Sequence, residues 1–159
     1  MRKILNLSPN FSKKTRKSSS IKFIIIHYTG MQSERESIKR LTSSSSKVSC
    51  HYLINRSGKV FRLVEDKNIA WHAGKSMWGK YKNLNKNSIG IELANKGHKF
   101  GYKNFKKKQL SSLIKISKIL IKKFKIKREN IIGHSDIAPL RKNDPGEKFP
   151  WRKLANKKI

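Results

Sequence analysis

Four chemically capable side chains gather near the C-terminus of this chain. Gly133-His134-Ser135-Asp136-Ile137-Ala138-Pro139 is followed by Arg141-Lys142-Asn143-Asp144-Pro145-Gly146. The chain carries 39 Lys+Arg against 9 Asp+Glu, so an ordinary surface loop in it would read as more Lys, Asn and Ser. This one holds a candidate metal ligand at each end, His134 and Asp144, with Lys142 beside the second. A second histidine, His27, closes the apolar run Phe23-Ile24-Ile25-Ile26. Two imidazoles and one carboxylate form a familiar catalytic zinc set, with three protein ligands and a fourth position open for water. Neutral imidazole nitrogens at ~2.0–2.1 Å and a carboxylate oxygen suit this borderline-soft ion.

Glu92 stands in Ile91-Glu92-Leu93, an acid inside an apolar strand. Burying a carboxylate without a partner is costly, so a general base or acid beside an activated water is the useful reading. On an alternating strand it shares a face with Gly90 and Ala94, small neighbours expected to leave room above it. Lys142, two residues before Asp144, is placed to stabilise an oxyanion when water attacks a carbonyl. Each signal has a plainer reading. A strand-end histidine is often only hydrogen-bonded, Glu92 could be half of a salt bridge, and Asp144-Pro145-Gly146 is a good turn without any metal. Spacing alone does not single out these ligands among the 5 histidines.

The elements that must position these groups can be read from periodicity. Phe23 to Ile26 suits a buried central strand. Ser33 opens a short helix with Glu36 three residues on, as in a capping box, and with Ile38 and Leu41 facing inward. The serine run 43–46 reads as a loop. His51 to Asn55 and Val60 to Val64 are β-rich runs around Arg56-Ser57-Gly58-Lys59, a hairpin pattern. Residues 66–87 lack a period, but contain Trp71, His72 and the Asn83-Leu84-Asn85 turn, suitable material for a binding loop. Ser88 to Leu93 alternates as a strand, and 106–125 carries Leu110, Leu113, Ile116, Leu120 and Phe124 at helical spacing. Glu129 to Ile132 leads into a strand stopping at Gly133-His134, and 151–157 closes the chain as a short helix. Strands and helices alternate, so the fold class is α/β (α+β): a single domain over 21–159, with a central mixed β-sheet flanked by helices. Residues 1–20 read as a polar, basic lead-in.

Composition excludes several classes. The single cysteine, Cys50, rules out an internal disulfide and a cysteine-based zinc cluster. A net charge of +30 fits an anionic partner, but lysine and asparagine are abundant everywhere and no basic stripe interleaved with aromatics stands out. No specific nucleic-acid partner is expected, since a motif rather than charge identifies such proteins. The apolar cluster Ile4, Leu5, Leu7 is too short for a signal peptide, and no lipobox-like cysteine lies near the start. No membrane span is expected, and a cytoplasmic monomer is the default.

A wider set of motifs carries a resemblance. His27-Tyr28-Thr29, Ser49-Cys50-His51-Tyr52-Leu53-Ile54, Ala70-Trp71-His72-Ala73-Gly74, Asn83-Leu84-Asn85, Ser88-Ile89-Gly90-Ile91-Glu92-Leu93 and Gly133-His134-Ser135-Asp136-Ile137-Ala138-Pro139 occur in that order. Together they closely resemble the zinc-dependent N-acetylmuramoyl-L-alanine amidases of the type-2 family, which share their fold with T7-type lysozyme and peptidoglycan recognition proteins. The resemblance spans about residues 20 to 153. It implies one Zn²⁺ per chain on His27, His134 and Asp144, with Glu92 and Lys142 as catalytic groups. It places His72, Trp71 and Asn85 in substrate binding, and implies peptidoglycan fragments or muropeptides as partners. It argues for an enzyme over a non-catalytic peptidoglycan-binding module, in which a ligand is typically lost. One departure is Leu140, where many relatives carry a small residue, often glycine.

Overall fold

Residues 8–159 are described by the computed structural model. The strands and helices follow in chain order. The first half holds β1 (Phe11–Ser12), β2 (Phe23–Tyr28), α1 (Glu34–Thr42), β3 (Tyr52–Ile54), β4 (Val60–Arg62), β5 (Ile69–Ala70), β6 (Met77–Trp78) and β7 (Tyr81–Lys82). The second half holds β8 (Ser88–Leu93), α2 (Lys107–Phe124), β9 (Ile131–Gly133), α3 (His134–Ile137) and α4 (Trp151–Asn156).

The central sheet has the order β4-β3-β8-β2-β9. Strands β3, β8, β2 and β9 run parallel, and β4 joins β3 as an antiparallel edge. The apolar run of β2 is explained by its central place, because parallel strands covered on both faces lose the polar alternation. Ile24 and Ile26 pack with Leu110, Leu113, Ile116, Leu120 and Phe124 of α2 on one face. Phe23 and Ile25 pack with Ala73, Leu84 and Ile137 on the other. Each such fully buried aliphatic contributes about 1.5–3 kcal/mol relative to exposure. The expected alternation of β8 is absent for the same reason: apart from Glu92, the strand is buried throughout.

Helix α1 starts as its sequence predicts. Ser33 Oγ accepts from Glu36 N–H at 3.1 Å, and the Glu36 carboxylate accepts from Ser33 N–H at 3.2 Å. The serine run contains a single 3₁₀ turn at Ser44–Ser46. The aperiodic stretch 66–87 is not all loop: β5 pairs with β1, and β6 pairs with β7.

From Ser8 onward the polar lead-in is tied to the body of the fold; residues 1–7 lie outside the described residues. Asn10 is buried and donates to the carbonyls of Ser43 and Val48 at 2.7 and 2.8 Å. The Arg16 guanidinium donates to the carbonyls of Ser88, Asn85 and Asp66 at 2.7–3.1 Å. These polar side chains satisfy loop carbonyls of the body, a role that composition does not distinguish from solvation. Among the described residues, no helix is long and apolar enough to cross a membrane.

Candidate active site

The register of the parallel strands assembles the site. His27 of β2 lies opposite Glu92 of β8, and Ile26 lies opposite Gly133 of β9. His27, Glu92 and His134 therefore emerge together at the carboxyl edge of the sheet, where parallel sheets commonly bind ligands. His27 continues the face of Phe23 and Ile25, since side chains alternate along a strand. Gly133 ends β9 and caps α3, its N–H donating to Asp136 at 2.6 Å, so His134 begins a helix at the strand's end. Ser135 N–H donates to the Asp144 carbonyl at 2.8 Å, which folds the Asp144 segment back over His134.

The result is a tight triangle. His27 Nδ1 lies 2.9 Å from His134 Nδ1 and 2.9 Å from Asp144 Oδ2, and His134 Nδ1 lies 3.1 Å from the same oxygen. All three residues are buried. His134 Nε2 faces the Ala73 carbonyl at 3.0 Å, and a carbonyl can only accept. A neutral His134 thus carries its proton on Nε2 and turns a bare Nδ1 toward Asp144, lone pair facing lone pair. Either a second ring proton or a cation at the centre relieves that contact. Burial opposes the ring proton: it pushes His27 down to about 4, helped by the neighbouring charge of His134. A tetrahedral ion with ligands at ~2.0–2.1 Å has donor–donor edges of roughly 3.3 Å, close to this triangle. The donor set and its spacing fit a metal ion.

Glu92 lines the same cleft as the triad, and its Oε2 is enclosed with no hydrogen-bond partner among the described residues. Burial, reinforced by Asp144, pushes its carboxyl up to about 8. The cleft above has a volume of about 680 Å³ and is lined in part by Trp71, Arg40, Lys99, Arg141 and Lys142. Leu140 is fully exposed and does not adopt a left-handed backbone, so its departure from the small residue of relatives removes no contact.

The three residues assigned to substrate differ in placement. Trp71 stands on the cleft wall with its indole N–H on Ser12 Oγ at 3.2 Å. Asn85 does not line the cleft; its side-chain oxygen accepts from the N–H groups of His72 and Ala73 at 3.1 and 2.7 Å. It holds the loop that carries Trp71. His72 is buried behind His27, with both ring nitrogens engaged by protein groups. The room expected above Gly90 is filled by the His72 ring, since a Cβ there would lie 2.4 Å from His72 Cγ. Arg40 and Arg141 were not singled out by sequence. Arg141 neighbours Lys142 in the motif, whereas Arg40 is one cation among 39 Lys+Arg and carries no signal of its own.

Acid sensitivity of the metal-free chain follows from these groups. Burial holds His27 at about 4 and His51 at about 3, and drives His72 well below its ordinary value. Each contributes stability that is complete above the unfolded value of about 6.5 and is lost as pH falls. Glu92 acts oppositely, since its raised folded value favours the folded chain at lower pH. The three histidines together outweigh Glu92, so net stability falls as pH drops below about 6.5. Urea unfolding in EDTA should show a clearly lower midpoint at pH 5 than at pH 7. Equal midpoints would contradict neutral, buried histidines.

The chain is similar to known proteins in sequence and fold. The family model for N-acetylmuramoyl-L-alanine amidase matches residues 17–147. The chain is 40% identical over 151 residues to the N-acetylmuramoyl-L-alanine amidase AmiD of Escherichia coli, covering 87% of this chain and 54% of AmiD. It is 37% identical over 108 residues to the 1,6-anhydro-N-acetylmuramyl-L-alanine amidase AmpD of Haemophilus influenzae, covering 67% of this chain and 56% of AmpD. The chain thus spans about half the length of the curated relatives it matches. Among solved structures, E. coli AmiD bound to the substrate anhydro-N-acetylmuramic acid-L-Ala-D-gamma-Glu-L-Lys superposes with a TM-score of 0.81 at 37% identity, over 93% of this chain and 60% of that one. AmpDh3 of Pseudomonas aeruginosa with anhydromuramic pentapeptide gives a TM-score of 0.81 at 31% identity, over 95% of this chain and 65% of that one.

Proposed function

Because this chain belongs to the N-acetylmuramoyl-L-alanine amidase family, we propose that it hydrolyses the amide joining the lactyl group of N-acetylmuramic acid, or its anhydro form, to L-alanine of the stem peptide. The observation that carries this reading is the convergence of His27 Nδ1, His134 Nδ1 and Asp144 Oδ2 beside an unpartnered Glu92 oxygen. The relatives named for this activity, and the two bound to anhydro-muropeptides, support the substrate class.

The triad would hold one Zn²⁺ through His27 Nδ1, His134 Nδ1 and Asp144 Oδ2. Such an ion, when bound, supplies Lewis acidity that lowers the pKa of water toward neutrality and polarises a carbonyl. The remaining chemistry belongs to the chain. Glu92, whose carboxyl is raised by burial, becomes a competent base when a nearby cation favours its charged form. It takes a proton from the attacking water as oxygen bonds to the lactyl carbonyl carbon. It then returns that proton to the alanine nitrogen as the C–N bond breaks. Lys142, on the cleft lining, would offer an ammonium to the oxygen that gains charge. Arg40, Lys99 and Arg141 add positive charge around the cleft, which suits a substrate bearing several carboxylates.

Purified sacculi and soluble anhydro-muropeptide, offered side by side and read by mass spectrometry, test the reading. Release of stem peptide with a free L-alanine amino group is expected from at least one. Retention of either material without cleavage would instead assign a peptidoglycan-binding module.

A further inference from the structure

We propose that His72, Ser88 and the Leu84 carbonyl form a one-way hydrogen-bond chain that fixes the tautomer of His27 and presents its Nδ1 lone pair to the metal pocket. The proposal rests on the reading of His27, His134 and Asp144 as metal ligands.

The direction of the chain follows from its far end. Ser88 Oγ lies 2.6 Å from the Leu84 carbonyl oxygen. Between a hydroxyl and a carbonyl only the hydroxyl can donate, so the Ser88 proton is committed. Ser88 Oγ also lies 3.1 Å from His72 Nε2, and with its proton spent it must accept there. His72 therefore carries its proton on Nε2, and the neutral ring leaves Nδ1 as an acceptor. His72 Nδ1 lies 3.0 Å from His27 Nε2, which must then be the protonated nitrogen of His27. Its Nδ1, facing His134 and Asp144, is left bare. The Ala73 carbonyl does for His134 in one bond what this chain does for His27 in three.

The fold is shaped around the relay. Ser88, Gly90 and Glu92 share the face of β8 that also carries Phe23, Ile25 and His27 of β2 across the register. Ser88 anchors the His72 ring, Gly90 gives it space, and Glu92 stands beside the cleft. Asn85, by holding the backbone N–H groups of His72 and Ala73, sets the segment that supplies both the His72 ring and the Ala73 carbonyl. His72 and Ser88 are thus positioning residues, acting on the metal through His27.

Long-range ¹H–¹⁵N correlation spectra of the metal-free chain at neutral pH test this directly. Protonated Nε2 is expected at both His27 and His72, with a bare Nδ1 at His72. A bare Nε2 on either ring overturns the proposal, with no variant needed. Ser88→Ala removes the anchor and should leave His27 with mixed tautomers. Its zinc affinity, measured by competition with a chromophoric chelator, should fall about 10–100-fold, as losses of this kind typically do. Unchanged affinity with an unchanged tautomer in Ser88→Ala also overturns it. If the unaltered chain binds no zinc, the ligand reading fails, while the tautomer spectrum still decides whether the chain runs in this direction.

Discussion

His134→Ala should yield a folded chain that no longer holds zinc and no longer cleaves muropeptide. Three donors supply the site, and removing one breaks the triangle of 2.9–3.1 Å contacts. The loss is specific because His134 has few other tasks: its Nε2 meets only the Ala73 carbonyl, which Arg141 also engages at 2.8 Å. Circular dichroism should therefore remain close to that of the unaltered chain. Metal analysis after reconstitution is expected to give one zinc per chain before the substitution and close to none after it. Unchanged stoichiometry in His134→Ala would place the metal elsewhere.

Glu92→Gln should separate metal binding from turnover. The amide has nearly the same shape, and Glu92 is not one of the three converging donors, so zinc stoichiometry is expected to persist. An amide oxygen does not take a proton from water at neutral pH. Loss of a general acid–base group typically lowers rate by ~10²–10⁴-fold. The fall should appear in kcat, since the proton moves only during reaction. A near-normal kcat would remove Glu92 from the mechanism. Folding should survive, because burial already pushes the Glu92 carboxyl toward its neutral form, which the amide resembles.

Periodic and strongly local features are legible from the chain alone. The capping box of Ser33 and Glu36 depends on residues three apart, and forms as read. The helical spacing from Leu110 to Phe124 reports a single buried face, and α2 buries that face. The β3–β4 hairpin follows from two short runs around a turn. Local pattern raised His27, Glu92, His134 and Asp144 as candidates, each with a plainer reading, and the resemblance to a family joined them with Lys142 into one set.

Composition and periodicity determined the single mixed α+β domain, and the motifs determined the family and the residues worth testing. Tertiary structure decided what those residues touch. Asn10 and Arg16 lie in the stretch that reads as a polar, basic lead-in, and their partners lie 33 to 72 residues away. His72 lines the cleft and also backs His27 across 45 residues, while Asn85 stands off the cleft and holds the loop between them. The physical reason is that parallel strands are joined by crossovers, so the register that sets His27 opposite Glu92 and Ile26 opposite Gly133 is fixed by packing over the whole sheet. A hydrogen-bond partner chosen by that register leaves no trace in the spacing of its own residue.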